Sequence, residues 1–176
     1  SVSLGVYSSG SILITCFTAA APFMGIVIFP VLNKKFVENP TKLSRFIVGI
    51  IPAIFIVGIM VTVVCYLSIP FAIKLMKNLP AYASYIFAIM ILVIPFNYVI
   101  GVINSLFIVI KKQSIGMVVT FVILVVNIAL FYFGALFYQI KGVAIASVIS
   151  SFFQVVSYIV VYLIVSRKYI NRTRKL

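Results

Sequence analysis

Residues 82–110 read YASYIFAIMILVIPFNYVIGVINSLFIVI and are closed by the pair Lys111 and Lys112. A bilayer's hydrocarbon core, about 30 Å thick, needs roughly 20 residues of helix, so this stretch is long enough to cross as a tilted helix. Pro95 stands mid-span, where it removes a backbone donor and predicts a kink. Asn97 and Asn104 follow, two helical turns apart and therefore on one face. A polar seam at that depth must face protein or water. Two readings stay open: amides that hydrogen-bond a neighbouring helix as packing groups, and amides that line a cavity for a polar, uncharged substrate.

The whole chain has the same character. Of its 176 residues 65% are hydrophobic, in runs longer than a strand or core helix of a soluble domain requires, which makes it an all-α integral membrane protein. Glu38 is the single acid against fourteen Lys and Arg, and there is no His and no Trp. Without a carboxylate pair or an imidazole, acid–base catalysis has no groups to work with, and no enzyme is expected. Cys16 and Cys65 are isolated in apolar segments, so neither metal nor cofactor is expected. The positive charge lies at the ends of apolar segments, where it reports topology and not nucleic-acid binding.

Working outward, the central stretch (about 81–110) is one of five expected spans, the others being about 8–32, 46–68, 115–138 and 142–165. Pro22 divides the first into a half with Ser11, Thr15 and Thr18 on one face and an apolar half ending in Phe29-Pro30. Hydroxyls in lipid commonly bond back to their own helix, so that face is read either so or as a cavity wall. A basic loop over 33–45 follows. The second span is read as interrupted by Pro52 near its start, with Thr62 and Cys65 in its later half, and Pro70 to Lys77 reads as an interfacial helical turn stopped at Asn78-Leu79-Pro80. In the fourth span Asn127 is placed to pair with the Asn97–Asn104 seam. Tyr132 and Tyr138 sit where interfacial anchors would. The last span opens with Gly142, Ala146 and Ser150 at four-residue intervals, a stripe that lets another helix approach closely. Residues 166–176 form a basic tail.

With five alternating spans, Lys34, Lys35, Lys42, Arg45, Lys111, Lys112, Arg167, Lys168, Arg172, Arg174 and Lys175 fall on one side, and Lys74, Lys77 and Lys141 on the other. The positive-inside rule then places the C-terminal tail in the cytoplasm and Ser1 outside. The chain opens on Ser1 with no signal-peptide pattern, so it is read as a piece of a longer protein with helices upstream.

Three stretches combine into a resemblance: Leu4-Gly5-Val6-Tyr7-Ser8 leading into the first span, Ile28-Phe29-Pro30-Val31-Leu32 closing it, and Tyr138-Gln139-Ile140-Lys141-Gly142-Val143-Ala144-Ile145-Ala146-Ser147 leading into the last. Over nearly its whole length the chain resembles the C-terminal half of polysaccharide flippases, within the multidrug, oligosaccharidyl-lipid and polysaccharide exporter superfamily. The Lys74-Leu75-Met76-Lys77 segment departs from that pattern, lacking the Phe-Gly pair many members show there.

The resemblance implies a polytopic transmembrane helical bundle of the cell (plasma) membrane. The five spans would form most of the second of two six-helix bundles around a cavity, the missing N-terminal bundle being a partner within the same chain. It further implies that membrane lipids surround the bundle and that lipid-linked oligosaccharide or polysaccharide precursors are moved across by alternating access. Thr15, Thr18, Asn97, Asn104 and Asn127 are then the expected cavity residues, and Pro22 and Pro95 the expected hinges. A cation-coupled exporter of the same superfamily, and a small subunit or anchor acting through helix assembly, are the alternatives.

Overall fold

The computed structural model describes residues 2–38, 40–75, 80 and 82–173, and their regular structure is helical. In chain order the elements are α1 (Val2–Thr18), α2 (Ala21–Glu38), α3 (Pro40–Leu75), α4 (Ala83–Met90), a 3₁₀ turn (Ile91–Val93), α5 (Ile94–Val109) and α6 (Gln113–Thr173). Four stretches are long and apolar enough to cross a membrane: Tyr7–Glu38, Phe46–Lys74, Ala83–Val109 and Gln113–Val165. An all-helical chain of this kind fits a membrane protein, because a helix satisfies its backbone polar groups internally where no water can.

Two of the prolines set breaks, each four residues downstream of the carbonyl it orphans. Pro22 has no N–H to offer Thr18, and α1 ends at Thr18. Pro95 does the same to Ile91, and there the backbone tightens into the 3₁₀ turn, with Ile94 N–H bonding the Ile91 carbonyl instead. Pro30, Pro52 and Pro70 lie inside α2 and α3, which run through them as continuous helices.

The Ala83–Val109 stretch is the core of the bundle. Of its most apolar window 61% is buried, against 18%, 17% and 11% for the other three. Phe87, Ile94, Val102 and Leu106 have no exposed surface at all. On one side α2 runs parallel to α5: a Cβ built on Gly101 would lie 2.5 Å from the Ala21 carbonyl oxygen, and one on Gly25 would lie 2.5 Å from Gly101 O and Ser105 Oγ. These backbones meet at a separation that only small side chains permit. On another side α3 packs Phe55 against Phe96, with ring centroids 5.7 Å apart. Phe96 in turn meets Phe152 of α6 edge-on at 5.9 Å.

The 61 residues of α6 do not form one straight rod. Gln139 adopts φ 51° and ψ −136°, outside the helical region, and the chain reverses there. Residues on either side face one another in antiparallel register: Gly134 meets Gly142, Asn127 meets Ser150, and Thr120 meets Tyr158. The fourth apolar stretch is therefore two antiparallel arms folded together as a hairpin. The turn between α5 and α6 is a Schellman cap with Lys111 at φ 54°. Lys112 N–H bonds the Phe107 carbonyl at 2.9 Å and Lys111 N–H that of Ile108 at 3.0 Å.

Several boundaries differ from the sequence expectations. The basic loop over 33–45 is largely helical, since α2 extends to Glu38 and α3 begins at Pro40. Nor is Pro70 to Lys77 a separate interfacial turn: α3 continues to Leu75, while Met76, Lys77, Asn78 and Leu79 lie outside the described residues. The basic tail begins as helix, with α6 running to Thr173 and Arg174 to Leu176 outside the described residues.

Candidate functional site

The sequence-derived polar residues separate into three groups. The first lies around the break between α1 and α2. Thr15 Oγ1 donates to the Ser11 carbonyl at 2.8 Å and Thr18 Oγ1 to that of Ile14 at 3.0 Å, so both hydroxyl protons are held by their own helix. They can still accept from a ligand, and Thr15 is exposed. Across the same break the Tyr98 hydroxyl donates to the Phe17 carbonyl at 3.3 Å. That bond ties α5, just past its own break, to the last turn of α1. Pro22 and Pro95 thus flank one contact between two interrupted helices.

The second group is the seam. Asn97 and Asn104 stand two turns apart on α5, Asn97 half-buried and Asn104 exposed. Asn104 opens into a groove of about 270 Å³ between the end of α5 and the start of α6, with Phe107, Ile108, Gln113, Gly116, Met117 and Thr120 as its other walls. Asn97 does not reach this groove, so the two amides do not share one pocket.

The third group lies within the α6 hairpin. Asn127 does not pair with the seam. Its side-chain carbonyl accepts from the hydroxyl of Ser150, a residue placed opposite it by the reversal at Gln139. Gly142, Ala146 and Ser150 face the preceding arm, where a Cβ on Gly134 would lie 2.8 Å from Gly142 O and 3.4 Å from Ala146 Cβ. Their role here is close packing inside the chain. Near the turn the two arms leave an apolar cleft of about 280 Å³ lined by Phe133, Phe137, Ile145 and Ile149 among others.

Three features were not anticipated from the sequence: the crossing of Ala21 and Gly25 with Gly101 and Ser105, the Tyr98–Phe17 bond, and the pairing of Thr120 with Tyr158. In the last, the hydroxyls lie 2.6 Å apart, and because Thr120 Oγ1 donates to the Gly116 carbonyl, Tyr158 supplies the proton. The first had a signal, since both pairs repeat small residues at four-residue spacing. Among the described residues no group of three or more His, Cys, Asp or Glu is positioned to hold a metal.

Comparisons with family models, with curated proteins and with solved structures gave no match to this chain.

Proposed function

We propose that this chain is part of a membrane flippase that carries lipid-linked oligosaccharide or polysaccharide precursors across the cell membrane by alternating access, with its C-terminus cytoplasmic. One observation carries the reading: two parallel apolar helices are each interrupted at mid-length, at Thr18–Ala21 and at Ile91–Val93, and the interruptions are joined by the Tyr98–Phe17 bond. Interrupted helices at bilayer depth are tolerated where they line a cavity or face protein, and they are a recurring device of transporters. Each supplies a bend at which an outer half-helix turns while the inner half stays packed.

The polar groups suit a sugar. Asn97 and Asn104 both donate and accept, so they match hydroxyls without leaving a buried charge behind when the substrate departs. Thr15 and Thr18 offer further acceptor oxygens near the break. Five arms would cross the membrane, counting the α6 hairpin as two, and the eleven-to-three charge bias would set their orientation.

The test is translocation of a fluorescent lipid-linked oligosaccharide in proteoliposomes holding the native full-length protein, read with a membrane-impermeant quencher. Asn97→Leu with Asn104→Leu is expected to lower the rate by at least about ten-fold, the effect of losing one to two hydrogen bonds to substrate. An unchanged rate would remove both amides from the substrate path.

A further inference from the structure

A second kind of ligand fits the groove at the α5–α6 turn. Asn104 and Gln113 present amide donors there, over a floor formed by buried Phe107 and Gly116. Thr120 contributes an acceptor oxygen only, because its proton is held by the Gly116 carbonyl. Beside the groove the exposed Lys111 and Lys112 are carried on a cap fixed by backbone hydrogen bonds. No carboxylate competes on α5 or α6, since Glu38, the last residue of α2, is the only acid in the chain. The set is rich in donors and positive charge, as a phosphate oxygen requires.

What lies beside the groove selects the source of that phosphate. Met117, Phe121, Leu124 and Ile128 are 70%, 67%, 51% and 62% exposed. Spaced by four, three and four residues, they form a row that begins at the groove wall and runs along α6 away from the lysines, within a broader exposed apolar face that includes Val118, Val122 and Val125. A free anion would satisfy the donors and leave the row unused. A phospholipid uses both.

We propose that the groove lined by Asn104 and Gln113, with the Lys111–Lys112 cap beside it, binds the phosphate headgroup of an anionic phospholipid, whose acyl chain lies along the Met117–Phe121–Leu124–Ile128 row. The site shares Asn104 with the transport reading but does not rest on it, and the lysine pair, which that reading does not use, tells the two apart.

The test is native mass spectrometry of the full chain released from detergent containing equal amounts of phosphatidylglycerol and phosphatidylcholine. Wild type is expected to retain phosphatidylglycerol in preference by on the order of ten-fold, the range that two lysines near a membrane surface supply. Lys111→Gln with Lys112→Gln, and separately Asn104→Leu, are expected to bring the ratio close to one, with far-ultraviolet circular dichroism showing intact helix. Lys74→Gln with Lys141→Gln, which removes the same charge from the other end, is expected to leave it unchanged. A second measurement needs no variant: phosphatidylglycerol bearing a photoreactive acyl chain should label the peptide spanning 113–128 of wild type. Equal retention of the two lipids, a preference that survives loss of both lysines, or labelling concentrated elsewhere would overturn the site. Displacement by inorganic phosphate as readily as by phosphatidylglycerol would overturn the lipid assignment in favour of a free anion.

Discussion

Replacing Gly101 with alanine inserts a methyl where α5 crosses α2. The new Cβ would lie 2.5 Å from the Ala21 carbonyl oxygen, whereas ordinary contact begins at 3.4 Å, so the helices must part by the difference, 0.9 Å. Backbone sits on both sides and no flexible side chain can absorb the shift, which places the cost in the overpacking range of about 1–3 kcal/mol. Alanine returns about 0.5–1 kcal/mol through its better helix propensity, leaving a net loss of roughly 0.5–2 kcal/mol. Gly5 and Gly49 have nothing within 4 Å of a built Cβ, so Gly5→Ala and Gly49→Ala keep only the propensity term and carry the opposite sign. Thermal unfolding in detergent, followed by far-ultraviolet circular dichroism, should show Gly101→Ala melting about 4 °C below wild type and the two controls at or above it. Gly25→Ala meets the same crossing, so the Gly25→Ala/Gly101→Ala double variant should lose less than the sum of the singles. If Gly101→Ala melts with Gly5→Ala, the close crossing is refuted.

Removing the amide in Asn127→Leu leaves the buried Ser150 hydroxyl without its partner, at about 1–2 kcal/mol, whereas Asn127→Leu with Ser150→Ala should recover most of that loss; a double-mutant thermal cycle reads the coupling. Gln139 holds a backbone conformation that glycine adopts freely, so Gln139→Gly should raise stability by about 1 kcal/mol, and a lower melting temperature would count against the reversal as drawn.

The helical class was legible because it depends on apolar length, which sequence displays directly; the burial of Ala83–Val109 does not follow from it, since Phe46–Lys74 is longer and more apolar and yet stays exposed. The break at Ile91–Val93 was legible in the same way, from the missing N–H and the ring of Pro95. Which prolines break a helix was not. Pro22 and Pro95 do and Pro52 does not, although the ring chemistry is identical, so the proline alone does not decide it. The partner of Asn127 was misassigned because a seven-residue interval shared with Asn97 and Asn104 says which face of a helix is polar, not which helix it meets. The reversal at Gln139 decides that, and it turns on one non-helical residue. The small-residue stripe at Gly142, Ala146 and Ser150 was visible, while the equivalent repeats at Ala21–Gly25 and Gly101–Ser105 went unread because each is only one interval long. Asn104 was identified as polar and helix-borne, but the groove it opens into needs the start of α6 folded beside it.

The most direct measurement on the bundle is the sidedness of its turns. Single cysteines would replace Lys34, Lys74, Lys112 and Lys141 in turn, in a Cys16→Ala/Cys65→Ala background, and react with a membrane-impermeant maleimide in sealed vesicles of known orientation. If the helices alternate across the bilayer and α6 turns back at Gln139, positions 34 and 112 react from one side, and 74 and 141 from the other. Labelling of 112 and 141 from the same side would contradict a membrane-crossing first arm of α6, and with it the bundle built around α5.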